Sequence, residues 1–280
     1  MRIYSQHVKT LDPRAGKTLG TSDSGHPVRT AGAESARKLL GVLLAYDEST
    51  PAWTVPALAE RLSVPLSSVY RYVALLREVG LLAASSDGDG TYRLTDRVIG
   101  LARAASVDAA ALSEVAHQPL VSLRDRVGET TLLIRRSGNF AYCIDRVEST
   151  HPVRLQFDIG AGMALHSGSA SRVLLSSLSR QERRAYLNDV AEQITDEQRL
   201  LVDDAALDAV SSAGWAESFE EVDKGIWGVA AAVRDHTGVV AALATAGPLY
   251  RLPDTTRSTI IKDVRQAAKT VGEMLDARNS

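Results

Sequence analysis

Residues 54–80 read TVPALAERLSVPLSSVYRYVALLREVG, and this stretch decides the fold of the front half of the chain. The Thr54 side chain can cap a helix, and Pro56 is tolerated in a first turn, where its missing N–H would lack a partner anyway. A short helix is therefore expected over Val55–Leu62. Ser63, Val64 and Pro65 make a tight connection. A second helix follows to about Val79, with Val69, Tyr72, Val73 and Leu76 spaced as one helical face. Gly80 ends it, as a glycine past the last turn commonly does. Two helices crossing at a short turn need a small residue at the crossing, a turn-tolerant residue and an inward apolar side chain. Ala59, Ser63 and Val69 supply these in order.

Upstream, Ala36, Leu39, Leu40, Leu43 and Leu44 form one face of an amphipathic helix starting near Glu34 and broken by Ser49, Pro51 and Trp53. Downstream, Leu81–Ala84 and Thr91–Leu94 flank a polar, Gly-rich loop and predict a β-hairpin. Three helices and a hairpin over 34–94 make a winged helix-turn-helix. The first 33 residues are rich in Gly, Ser, Thr and Pro without apolar period, and are expected to be a disordered tail. Thr95 should cap a linker helix through Ala105, giving a linker over 95–107, and Asp108 should start another helix to about Val127. Beyond it the pattern is mixed. Strand-like runs are Thr130–Arg135, Phe140–Val147, Val153–Phe157, Ile226–Arg234 and Val239–Ala246. Helical runs are Ser169–Leu178, Arg180–Val190, Val202–Ala213 and Pro253–Ala277. Their interleaving without strict alternation predicts an α+β domain with an antiparallel sheet over 108–280.

With 280 residues the chain is long enough for two domains. Lys plus Arg number 32 and Asp plus Glu 34, a net charge of -2 that conceals a gradient. The first 33 residues carry net +3, residues 34–107 are neutral and the remainder carries net -5. Segregated charge suggests two jobs, with the front half facing a polyanion. No apolar run reaches the ~20 residues of a membrane span, the N-terminus has no signal-peptide apolar core, and the single cysteine excludes an internal disulfide or a Cys-rich zinc site. The expectation is a cytoplasmic protein with no membrane partner.

A recognition helix presents its N-terminal residues to base edges in the major groove. Here these are Ser67, Ser68, Tyr70 and Arg71, off the Val69–Val73–Leu76 face. Arg71 can pair with a guanine edge, a contact worth roughly 1–3 kcal/mol of discrimination. Ser67, Ser68 and Tyr70 suit phosphate or bases, and Arg77 suits phosphate. The competing reading is a structural bundle with a solvated polar face, to which the domain's zero net charge points. The order of motif and wing outranks net charge and favours double-stranded DNA. The basic tail could serve as a minor-groove arm.

The chain resembles the IclR family of bacterial transcriptional regulators from about Glu34 to the C-terminus. The resemblance rests on SVPLSSVYRYVALLREVGLL and YRLTDRVIGLA in the front half, and on MALHSGSASRVLLSSL, EEVDKGIWGVAAAVRD and VVAALATAGPLYRL behind. It implies a winged helix, a linker helix and a GAF-like effector-binding domain. It further implies operator binding as a homodimer or dimer-of-dimers tetramer, and a response to small organic, often carboxylate or aromatic, metabolites. Repression and activation both occur among members. The resemblance sets Met163, Ser169 and Ala170 beside the effector and Ser218, Ile226, Gly228, Ala244 and Ala246 on the opposite wall. The chain departs from the family at Ser171-Arg172, where Gly-Lys is common, and at Ala244 and Ala246, where some acid-binding members carry serines. Gly228 likewise lacks a side chain often found there. These changes remove polar handles and imply a bulkier or more apolar ligand than a small polar acid.

The helix expected near Ser169 offers unpaired N–H groups that suit a carboxylate. A plainer account has Ser167 or Ser169 merely capping that helix, Met163 and Ile226 in the core, and His166 as a hydrogen-bonded structural histidine. The competing function is a small-molecule-transforming enzyme on the C-terminal domain. Against it, HSGSASR is not the Gly-x-Ser-x-Gly elbow, no Walker or dinucleotide fingerprint occurs, and Cys143 sits in an alternating strand as a small apolar residue. The six histidines are scattered without metal-site spacing. No catalytic residue, metal or cofactor is expected.

Overall fold

The computed structural model describes residues 32–279 apart from 48, 49, 87, 156 and 253. The tail expected over 1–33 lies outside these residues, except for Gly32 and Ala33 at the start of the first helix. The described chain divides into two compact units, 32–108 and 109–279.

The first unit carries α1 (Ala33–Leu43), β1 (Ala52–Thr54), α2 (Val55–Leu62), α3 (Leu66–Glu78), β2 (Leu82–Ala84) and β3 (Thr91–Leu94). The Thr54 hydroxyl accepts the Ala57 N–H at 3.3 Å, capping α2 as the sequence predicts. Ser63 takes the left-handed conformation, φ 52°, so the Val64 N–H reaches back to the Ala59 carbonyl at 3.1 Å and the chain turns at once into α3. Val69, Tyr72, Val73 and Leu76 of α3 are buried against Val42, Val55, Leu58, Val64 and Leu82. Removing each such side chain from water contributes about 1.5–3 kcal/mol. The wing has three strands, not two: β3 lies between β1 and β2, both antiparallel to it. Trp53 lies outside α1 as expected, and it pairs with Tyr92 across the ladder while its indole donates to the Ala45 carbonyl at 3.0 Å.

One correction concerns the linker. Instead of one helix to Ala105 and a second from Asp108, a single helix, α4, runs Arg97–Val127. The stretch AASVDAAAL contains neither Gly nor Pro, so Ser106 and Asp108, cap formers in isolation, are carried along by flanking alanines.

The second unit is built on six antiparallel strands in the order β6 (Gly162–Ala164), β5 (Phe140–Val147), β4 (Thr130–Ser137), β9 (Gly238–Pro248), β8 (Ile226–Asp235), β7 (Trp215–Phe219). One face packs on α4 and α9 (Asp254–Asn279) through Leu120, Leu123, Val264 and Val271, against Leu133, Val229, Val233 and Leu243. The other packs on α5 (Ser169–Ser176), α6 (Arg180–Asp189) and α8 (Asp204–Ala213) through Val173, Leu174, Tyr186 and Leu207, against Leu132, Ile134, Ala230 and Ala242. Covered on both faces, β8 and β9 read as nearly continuous apolar runs.

One further expectation is corrected, and two elements are added to those the sequence predicts. Val153–Phe157 is not a strand: β6 takes the edge of β5, pairing with Phe140–Tyr142, and Leu155 and Phe157 are turned inward from irregular backbone. The helix expected over Val202–Ala213 is α8, which starts at Asp204 because the Asp203 side chain accepts the Ala206 N–H at 2.7 Å, and a short helix outside that expectation, α7 (Asp196–Leu201), precedes it. Strand β7 is added to the expected strands: its buried face carries only Ala216 and Ser218, so its five residues show no apolar alternation.

Candidate functional site

In the first unit, α3 separates its faces cleanly. Ser67, Tyr70, Arg71 and Arg77 are exposed and Ser68 is half-buried, while Val69, Tyr72, Val73 and Leu76 are turned inward. At about 100° per residue, Ser67 and Arg71 stand nearly opposite the buried stripe, with Tyr70 beside them and Arg77 at its margin. The Arg71 guanidinium lies 5.5 Å from the Tyr72 ring centroid, a contact that steadies its stem. Arg77 is engaged differently: it stacks 5.6 Å from the ring of Tyr92 on β3 and so ties the helix to the wing. The turn before β3 is closed by Asp89, whose carboxylate accepts the Thr91 N–H at 3.0 Å and hydroxyl at 2.6 Å. Those bonds hold the Asp89 carboxyl below its usual range and place a negative charge in the wing loop.

In the second unit a cavity opens between the α5 N-terminus and the face of β7, β8 and β9. The space inside it open to water is about 80 Å³. Met163, Ser169, Ala170, Ser218, Ile226, Gly228, Ala244 and Ala246, the eight residues singled out from sequence, all line it. Leu132, Ile134, Leu155, Phe157 and Val222 complete its apolar wall.

The polar side of this cavity departs from the plainer account, in which a serine caps the helix. Neither Ser167 nor Ser169 caps α5; the N-cap is Gly168, φ 86°, and the Ser167 hydroxyl donates to the Glu221 carbonyl at 2.8 Å. The Gly168 N–H is taken by the Glu221 carboxylate at 3.0 Å. The first helical bond runs from the Arg172 N–H to the Gly168 carbonyl, so the N–H groups of Ser169, Ala170 and Ser171 have no partner within the helix. Glu221, which sequence reasoning missed, also binds Arg172 at 2.7 Å. Burial pushes the Glu221 carboxyl above its usual range against the pull of Arg172 and Gly168. The departure from Gly-Lys at 171–172 was the available signal, since a buried arginine needs a buried acid.

His166 does not line the cavity; its Nδ1 meets the Tyr186 hydroxyl at 2.8 Å in the protein interior. Cys143 is buried and its thiol pushed up to about 12 by burial, so it carries no thiolate at neutral pH. Ser113 and His117 both address the Asp145 carboxylate, at 2.9 and 3.1 Å, rather than each other. A nucleophile activated by a base requires the opposite arrangement. Among the described residues, no group of three or more His, Cys, Asp or Glu could hold a metal ion, and no helix is long and apolar enough to cross a membrane.

A winged helix with an exposed recognition face, followed in the same chain by a unit enclosing a small-molecule cavity, defines a one-component DNA-binding regulator. Residues 35–85 match the IclR helix-turn-helix domain, and residues 104–273 match the bacterial transcriptional regulator IclR C-terminal domain. The chain belongs to the IclR family of transcriptional regulators. It is 28% identical over 232 residues to the HTH-type transcriptional regulator KipR of Bacillus subtilis, covering 80% of this chain and 90% of that one. A transcriptional regulator from Rhodococcus sp. RHA1 superposes with a TM-score of 0.65 at 25% identity, covering 88% of this chain and 99% of its own. An IclR homolog from Microbacterium hydrocarbonoxydans, solved with 4-hydroxybenzoate, superposes with a TM-score of 0.66 at 23% identity over 87% of this chain and 99% of its own.

Proposed function

We propose that the chain binds an operator duplex through α3, with Arg71 reading a base edge and Ser67, Ser68 and Tyr70 holding bases or phosphates nearby. Arg77 contributes phosphate contact from the margin while stacked on Tyr92. The protein works in the cytoplasm as a homodimer or dimer of dimers, without catalysis or cofactor. A small organic effector, carboxylate or aromatic, occupies the cavity beside α5. Support for the effector comes from one observation above the others: eight residues distant in sequence line a single cavity with both apolar walls and unpaired donors, the usual form of a small-ligand site. The Microbacterium homolog's 4-hydroxybenzoate supports the ligand's class.

Effector binding changes DNA affinity only by preferring one arrangement of the two units, and α4 is the covalent path joining them. The test is a mobility shift on DNA flanking the chain's own coding region, repeated with a metabolite panel that includes 4-hydroxybenzoate. Arg71→Ala should weaken specific binding by about 5- to 150-fold, the equivalent of one lost base contact, with an unchanged far-UV spectrum. An unaltered footprint from that variant, or equal affinity of the native protein for scrambled DNA, would overturn the reading. Ala170→Trp, filling the cavity mouth, should abolish the effector response and leave the shift intact.

A further inference from the structure

The loop between β2 and β3 reads SSDGDG over residues 85–90, with two acids and no base. Brought against a phosphate backbone, such a tip sets like charge on like charge. The wing meets a cation elsewhere, on its flank. Tyr92 of β3 stands opposite Trp53 on one side and Ala84 on the other, and the Trp53 indole is itself fixed to the Ala45 carbonyl at 3.0 Å. Arg93 beside it lies on the opposite face of the strand. The third strand, β1, thus braces the ring on which the Arg77 guanidinium rests at 5.6 Å.

What distinguishes Arg77 from other stacked arginines is the state of its donors. Arg251 lies over Tyr250 and Arg257 over Phe219, at 5.4 and 5.1 Å, but both give their N–H groups to carboxylates, Glu129 and Glu217. Arg77 is exposed, and its guanidinium has no acid or carbonyl partner among the described residues. The residues three and four away, Val73, Ala74, Gly80 and Leu81, carry no carboxylate. Stacking covers a face of the guanidinium and leaves the N–H groups in its plane free to bond. A long side chain ordered before contact loses little freedom on meeting a phosphate.

We propose that Tyr92 is a positioning residue for DNA binding: its ring holds Arg77 ready for a phosphate, and the wing acts on the duplex through this platform, not through its acidic tip. This rests on the reading that Arg77 touches phosphate.

The experiment measures the affinity of the full chain for a short random-sequence duplex by fluorescence anisotropy across roughly 50–200 mM salt. Arg77→Ala should lower the slope of log K against log salt by about 0.9, the value of one phosphate contact. Tyr92→Leu keeps Arg77 and its charge, yet should weaken binding about two- to tenfold and lower the slope toward that of Arg77→Ala. It should cost nothing further in the Arg77→Ala background, and Tyr92→Phe, which keeps the ring face, should bind as the native protein does. A merely structural Tyr92 would weaken binding equally with and without Arg77, and that result overturns the proposal. So does unchanged binding by Tyr92→Leu, or an equal loss in Tyr92→Phe. An unaltered slope in Arg77→Ala overturns the phosphate contact and the proposal with it. Should Tyr92→Leu not fold, the native protein decides: in the absence of DNA the Arg77 Nε–H should be ordered, with an NMR order parameter above about 0.6, and a lower value overturns the proposal.

Discussion

The Arg172 guanidinium and the Glu221 carboxylate meet at 2.7 Å with side chains only 8% and 10% exposed, joining α5 to the loop between β7 and β8. The loop is held there because Glu221 also accepts the Gly168 N–H and Arg172 also donates to the Glu217 carbonyl. Arg172→Met leaves a buried carboxylate without its cation, a loss of about 3 kcal/mol at neutral pH. Burial already raises the Glu221 carboxyl, and losing Arg172 raises it further, so the variant should recover part of its stability on acidification from pH 7 to pH 5, as the acid takes up a proton. Urea unfolding of the variant at pH 7 and pH 5 checks this; an equal deficit at both would show that packing, not charge, is what Arg172 provides.

Helix α9 crosses β8 so closely that a Cβ on Gly272 would fall 2.1 Å from the Arg234 carbonyl oxygen. Both partners are backbone, so no rotamer can relieve the clash, and Gly272→Ala should destabilise by roughly 1–3 kcal/mol or more. Gly100, also helical, has nothing within 4 Å of the same position. Gly100→Ala should therefore stabilise by about 0.5–1 kcal/mol through helix propensity alone. Denaturant midpoints of the two variants should move in opposite directions.

Local signals made the first unit legible: Thr54, Pro56, Ser63 and Gly80 each act within a turn of where they stand, and the α3 stripe needs only its own spacing. What was lost there, β1, is a strand of three residues defined by its partner β3 and not by its own pattern. In the second unit the same limit explains Val153–Phe157, whose alternation is that of a strand but whose edge position β6 occupies. The cavity wall was legible through the family likeness, not through residue patterning, since Gly228, Ala244 and Ala246 are unremarkable in sequence until the ladder sets them side by side. Glu221 had only the unusual Arg172 as its signal, and because Arg172 lies on another element that signal does not say which acid pairs with it.

Ser63 adopts φ 52°, ψ 44° at the turn between α2 and α3, a left-handed conformation that side chains resist. A residue with a Cβ is strained there by about 1–2 kcal/mol, and glycine offsets part of that relief by its greater freedom when unfolded. Ser63→Gly should stabilise the winged helix by roughly 0.5–1 kcal/mol and leave operator affinity unchanged, because Ser63 is not on the Ser67–Arg71 face. Thermal melts and the mobility shift together measure both halves; a drop in stability would mean the Ser63 hydroxyl carries an interaction that outweighs the strain.

The Tyr186 hydroxyl accepts the Leu165 N–H at 2.9 Å and can give its own proton to His166 Nδ1 at 2.8 Å, an arrangement that needs a neutral imidazole with its proton on Nε2. Burial agrees, lowering the His166 pKa below its ordinary 6.5. In the unfolded chain the ring protonates near that ordinary value, so as pH falls from 7 toward 5 the unfolded state takes up a proton more readily than the folded state does. The stability that His166 contributes is thus fully present above about pH 7 and drains away on acidification through the histidine range. His166→Gln keeps a hydrogen-bond acceptor for Tyr186 but cannot titrate. The stability difference between the native protein and this variant should be constant from pH 7 to 8 and should shrink steadily from pH 7 to 5. A difference that stays flat, or widens in acid, would mean that His166 is charged in the folded protein and that Tyr186 donates its proton elsewhere.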